Sequence, residues 1–252
     1  MRLDDLTRYL DDYLRLGDEV ADPPEALNGL QVEGRSGEVT RVAAAVDVCE
    51  ATIEMAAEQH ADLLLVHHGL FWGGPRPFVG PAYRRVAALI DSGVALYAAH
   101  IPLDRHPDVG NNAVLARLLG LEVRGDFGSY RGASIGVWGE LDVHRDELTG
   151  KLGAILGAAP RLLPFGPERV RRVGVVTGAG GSLIPQAAAA GLDTYVTGEG
   201  QHWTYFDAEE LRLNVFFAGH YATETVGVKS LAEHLSAKFS IPWVFLDHPT
   251  GL

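Results

Sequence analysis

Arg41-Val42-Ala43-Ala44-Ala45-Val46-Asp47-Val48, then residues 51–59, then Asp62-Leu63-Leu64-Leu65-Val66-His67-His68-Gly69, form the stretch that decides the fold. The runs 42–48 and 62–66 are short and apolar on successive residues, the pattern of strands covered on both faces. The segment 51–59 between them has helical spacing, so strand, helix, strand predicts a parallel βαβ unit. The alternation continues outward. Leucines and Tyr9 predict a helix over 3–16, ended by Gly17 and Asp22-Pro23-Pro24, and Asn28-Gly29-Leu30-Gln31-Val32 reads as a turn into a short strand. On the other side, helices are expected over 83–92, 112–119, 146–156, 184–190 and 225–239, and strands over 94–99, 134–141, 170–176, 194–197, 215–218 and 243–246. Such a succession predicts the α/β class, with helices covering the sheet faces. The polar stretch 121–131, interrupted by Gly125 and Gly128, is the softest place for a boundary, and 159–167 reads as a loop.

With 252 residues, the chain suits one large domain or two smaller lobes. Hydrophobic residues at 47% and charged residues at 21% are globular values and exclude wholesale disorder. Cys49 is the single cysteine, which excludes an intramolecular disulfide framework and every thiolate-rich zinc site. A net charge of −12 disfavours a dedicated duplex-DNA binder, whose affinity comes from neutralising phosphates. Met1-Arg2-Leu3-Asp4-Asp5 turns acidic at once, unlike a signal peptide, and no apolar run approaches the ~20 residues that span a bilayer. A soluble, cytoplasmic protein is expected, with no membrane partner.

Histidines and carboxylates recur just after the expected strands. His67-His68-Gly69 follows the run ending at Val66, where ligands of open α/β sheets gather, and Gly69 lets the chain turn so that both imidazoles serve one site. His100-Ile101-Pro102-Leu103-Asp104 follows the next strand, with Asp104 on a loop stiffened by Pro102. Gly219-His220-Tyr221-Ala222-Thr223-Glu224 follows another, and a helix starting near Tyr221 would put His220 and Glu224 on one face. Singly, these are also surface histidines, a turn former and a helix N-terminus. Together they form a nitrogen–oxygen donor set without thiolate, suited to Zn, Mn or Fe(II) rather than Ca. Five ligands suit a pair of ions sharing a carboxylate and activating a water. Two divalent cations less Asp104, Glu224 and a hydroxide leave net positive charge, which favours an anionic substrate. Thr177-Gly178-Ala179-Gly180-Gly181-Ser182 is either a tight strand-to-helix turn or a phosphate cradle; it has no P-loop ending.

Asn28-Gly29-Leu30-Gln31-Val32, Val66-His67-His68-Gly69-Leu70-Phe71-Trp72, His100 to Asp104, Gly198-Glu199 and Gly219-His220 to Glu224 together resemble the YbgI-like, interacting-factor-three-like family, whose members carry the label GTP cyclohydrolase 1 type 2 homologue. The resemblance runs along nearly the whole chain. It implies two interlocked α/β lobes with mixed sheets around a dinuclear metal site, divided as 1–125 with 215–252 for the metal-binding lobe and 126–214 for the second. It implies His67, His68, Asp104, His220 and Glu224 as ligands of two divalent ions, with His100 close by, and ring-shaped homo-oligomers, commonly hexamers. The leading expectation is a metal-dependent hydrolase that uses a metal-bound hydroxide on a nucleotide-like or other phosphorylated small molecule, with His100 or Glu199 carrying protons. The other is a non-enzymatic, metal-stabilised ring that binds a protein or single-stranded nucleic acid, for which Arg84-Arg85 and residues 169–172 offer small basic clusters.

Overall fold

A computed structural model describes residues 1–18, Asp22 and 26–252. Pro23 and Pro24 of the expected helix breaker lie outside the described residues. The chain forms two compact units, Met1–Val109 with Gly227–His248, and Gly110–Val226 with Pro249–Leu252. The first unit closes at Val109, ahead of the expected boundary at 125/126, and resumes at Gly227 rather than at 215.

The first unit is built on β1 (Gly29–Val32), β2 (Val42–Asp47), β3 (Leu63–His68), β4 (Ala95–Ala98) and β11 (Trp243–Phe245), in the order β1-β4-β3-β2-β11. Four strands are parallel and β1 joins the edge antiparallel to β4. The expected βαβ unit is β2, the helix α2 (Glu50–Glu58) and β3. Ala43, Ala45, Leu64, Val66, Leu96 and Ala98 share one core cluster with Ile53, Ala56 and Leu89; the last lies on the helix α3 (Pro81–Ser92). The alternate residues Ala44, Leu63 and Leu65 are equally buried, so both faces are covered and the strands read as continuous apolar runs. The helix α1 (Leu3–Tyr13) turns Leu3, Leu6 and Leu10 inward, and Asp11 accepts a 2.8 Å hydrogen bond from Tyr97 of β4. It ends earlier than expected because Arg15 has a left-handed φ of 56°. Asp104 is not on a loop: Ile101–Arg105 forms a short helix, α4, with Pro102 in its first turn, where the missing N–H costs nothing.

The second unit carries six strands in the order β5-β6-β8-β9-β10-β7, namely β5 (Glu122–Tyr130), β6 (Ala133–His144), β7 (Arg161–Pro164), β8 (Arg169–Val176), β9 (Thr194–Thr197) and β10 (Asn214–Phe217). β8, β9 and β10 are parallel; β5, β6 and β7 pair antiparallel. The helices α5 (Asn111–Leu119) and α6 (Arg145–Leu156) supply Leu115, Leu119, Leu148 and Leu152 to a cluster with Val173, Val175, Val196 and Phe216. The next residues along the strands, Val176, Tyr195 and Val215, join a second cluster with Ile184 and Ala187 of α7 (Ile184–Ala189) and Ala208 of α8 (Thr204–Glu210). Alternation along the strands thus feeds two helical layers.

The stretch 121–131 is occupied by β5, Glu122–Tyr130, rather than by a boundary. Tyr130 pairs with Ala133, and the two residues between them, Arg131 and Gly132, have φ of 47° and 85°. Positive φ at both central positions is the signature of a two-residue type I′ hairpin. The glycine is a turn device inside a β5–β6 hairpin, not a linker. Gly132→Val should cost about 1–2 kcal/mol in urea unfolding, since a β-branched residue resists left-handed backbone. The segment 159–167, expected as a loop, contributes β7 along β10. The last helix, α9 (His220–Phe239), starts before the expected residue 225.

Candidate functional site

In each unit, histidines and carboxylates stand at the carboxyl ends of parallel strands, the position at which open α/β sheets bind ligands. In the first unit, β3 ends in His67 and His68, β2 ends in Asp47, and β4 runs into His100. β3 stays extended through His68, yet the two consecutive rings lie only 4.7 Å apart. The His100 ring is 4.9 Å from that of His67 and 5.4 Å from that of His68. One ring nitrogen from each lies within 4.8 Å of the others, a spacing that a single ion can bridge. Asp104 Oδ2 is 3.6 Å from His67 Nε2, and both residues are buried.

The other nitrogen of each ring is held from behind. His67 Nδ1 is 2.9 Å from the Ala99 carbonyl oxygen, His68 Nδ1 is 2.8 Å from Asp47 Oδ1, and His100 Nδ1 is 2.6 Å from Asp22 Oδ1. Asp22 also accepts from Asn28 Nδ2 at 2.8 Å and the Ile101 amide at 3.0 Å, while Asn28 Oδ1 accepts from the His100 amide at 2.8 Å. Burial pushes the Asp22 carboxyl up, but the His100, Asn28 and Ile101 donors outweigh it and hold the group below the usual range. Gln31 braces the neighbouring loop. Its Oε1 accepts from the Leu70 amide at 2.8 Å and its amide donates to the Leu27 carbonyl at 2.9 Å; a Cβ on Gly69 would strike that carboxamide. The segment Asn28-Gly29-Leu30-Gln31 therefore serves the histidine loops. Trp72 stacks on His68, with centroids 3.8 Å apart and planes at 13°.

In the second unit, Glu199 follows β9, and His220 and Glu224 stand one turn apart at the start of α9. His220 Nε2 is 3.2 Å from Glu224 Oε1 and His220 Nδ1 is 2.8 Å from Glu199 Oε1. Burial lowers the His220 pKa, yet hydrogen bonds and charge from Glu224 and Glu199 outweigh it and push it up to about 9. The glycine-rich run 177–182 packs against this pair. The amides of Thr177, Gly178, Gly180 and Gly181 donate to Asn112 Oδ1, Thr223 Oγ1, Thr197 Oγ1 and the Glu199 carbonyl, respectively. Committed in this way, these four do not form a phosphate cradle. Gly178 has φ of 67° and a Cβ there would run into Glu224 Oε1. Gly178→Ala should displace the Glu224 carboxylate and, on the metal-binding role proposed below for Glu224, reduce metal uptake by about tenfold or more, read by elemental analysis of folded protein.

All seven expected site residues thus lie in these two strand-end sets: His67, His68, His100 and Asp104 in one, Glu199, His220 and Glu224 in the other. The sequence reading missed Asp47 and Asp22. Asp47 had a usable signal: an acid closing an apolar strand, directly opposite His68 in the parallel register. Asp22 had none, since its partner His100 is distant in sequence.

A family model described as Duf34/NIF3 (NGG1p interacting factor 3) matches residues 1–250. A Deinococcus radiodurans protein named GTP cyclohydrolase 1 type 2 homolog is 47% identical over 251 residues, covering 99% of this chain and 94% of its own. Among solved structures, TTHA1606 from Thermus thermophilus is 46% identical with a TM-score of 0.90, covering 100% of both chains. The structure of protein ybgI, described as of unknown function, is 36% identical with a TM-score of 0.92, again covering 100% of both chains.

Proposed function

The chain belongs to the Duf34/NIF3 family, and on that premise we propose that it is a metal-dependent hydrolase acting on a nucleotide-like or other phosphorylated small molecule. The observation that carries this reading is the set of imidazoles tethered through Nδ1 at strand ends, with carboxylates beside them. Tethering one nitrogen to an acceptor leaves the other as the electron-pair atom, which is how proteins present histidine to divalent ions. His67, His68, Asp104, His220 and Glu224 would hold two ions, of Zn, Mn or Fe, and the thiolate-free donor set fits all three. When bound, the ions would polarise a substrate oxygen and make a water acidic enough to react near neutral pH. Two carboxylates neutralise half the charge of two divalent ions, so the ligand set retains positive charge for an anionic group. His100, hydrogen-bonded to Asp22, and Glu199, hydrogen-bonded to His220, would take and return protons. The name borne by the relatives supports a nucleotide-like substrate.

The binding-module reading draws less support. Arg84 pairs with Glu50 and Arg169 with Asp142, so surface carboxylates offset part of the charge of both basic clusters. Among the described residues no helix is long and apolar enough to cross a membrane. The separating experiment is a turnover screen of nucleotides and phosphorylated metabolites with protein loaded in turn with Zn, Mn and Fe. Metal-dependent release of product is expected; fully loaded protein inert toward every compound would favour the binding module.

A homohexamer is proposed as the working assembly. Trp72, Phe78 and Tyr83 are exposed in the first unit and offer apolar area for self-association. Light scattering of dilute protein should give several times the 27.1 kDa chain mass, and a value near the chain mass would contradict it.

A further inference from the structure

Three imidazoles of the first unit share one arrangement. Each has an acceptor at Nδ1, but the acceptors differ: a backbone carbonyl for His67, Asp47 for His68 and Asp22 for His100. A carbonyl or an ionised carboxylate can only accept, so in the neutral ring the proton sits on Nδ1 and the electron pair on Nε2. Asp47 is set opposite His68 by the β2–β3 register, so its direction is fixed by the sheet. The Asp22 side chain is only 4% exposed and is fixed by donors from Asn28 and the Ile101 amide.

We infer that Asp47 and Asp22 are positioning residues that lock His68 and His100 as Nδ1–H tautomers. His68 is thereby kept ready to donate its Nε2 pair to a divalent ion and His100 to accept a proton there. The use made of each tautomer rests on the function proposed above; the tautomers themselves do not. His67 is a built-in control, because no side-chain substitution changes the Ala99 carbonyl.

Long-range proton–nitrogen correlation spectra of the chelator-stripped full chain, at alkaline pH where imidazoles are neutral, read the tautomer of each ring. In the native chain all three should be Nδ1–H. Asp47→Asn keeps the shape but can donate from its amide, so His68 alone should move toward Nε2–H; Asp22→Asn should move His100 alone. Zinc affinity of the same samples, read by competition with a chromogenic chelator, should fall about 10–100-fold in Asp47→Asn. A native His68 or His100 found as Nε2–H overturns the inference without any variant. So does a fall in zinc affinity in Asp47→Asn while His68 remains Nδ1–H, which would mark a loss of charge or shape. A native chain that binds no zinc overturns the proposed function, and the tautomer spectra still decide the role of the two aspartates.

Discussion

Glu224→Ala should empty the protein of metal, from about two ions per chain to about none, whereas Asp104→Ala should retain about one. A carboxylate has two oxygens and can span two cations, whereas an imidazole turned toward a metal binds one. Of the two carboxylates proposed as ligands, Glu224 has the longer side chain and stands one turn into a 20-residue helix that begins at His220, with a buried carboxylate. Asp104 stands on the five-residue α4 and faces His67. It is the better candidate for a terminal ligand. Removing the shared ligand also removes the charge that screens two cations from each other, so both sites should fail together. Elemental mass spectrometry on variants matched for folding checks this, and the reverse pattern would reassign the bridge to Asp104.

Stripping the metal should lower the melting temperature by about 10 °C. A ligand held at a thousand times its dissociation constant stabilises by ~4 kcal/mol, and for a chain of this length each kcal/mol moves the midpoint by roughly 2–4 °C. The proposed ligands run from His67 to Glu224, so the ions would also tie together segments that are remote along the chain. Calorimetry of the same sample before and after chelation, with restoration by added Zn or Mn, gives the shift. An unchanged midpoint after verified removal would mean that the ions are peripheral to the fold.

What was legible in the sequence follows from how locally each feature is encoded. β2 and β3 were legible because burial on both faces leaves unbroken apolar runs, and His67, His68 and His100 because they stand immediately beyond such runs. β5 was obscured by its glycines, whose reasons are not local: Gly128 packs against Leu183 and Val176, and Gly125 lies under the Trp138 indole. α4 is too short to show helical periodicity, and Pro102, which looked like a loop residue, is compatible with a first turn. α8 carries Tyr205 and Phe206 at its surface and therefore lacks a clean apolar stripe. The glycine-rich run was legible as a tight strand-to-helix turn, but the need for glycine at Gly178 was not, because the room it leaves for Glu224 depends on a side chain far along the sequence. Asp22 illustrates the same limit: a residue that looked like part of a breaker proves to be the buried partner of His100.

The proposed function requires that these histidines and carboxylates bind divalent metal. Titration of chelator-stripped native protein with Zn or Mn in a calorimeter tests it most directly. Saturable binding with a stoichiometry of about two ions per chain is expected, lost when His67 and His220 are both replaced by alanine. Heat indistinguishable from dilution in the native protein, or a stoichiometry that survives the double replacement, would contradict it.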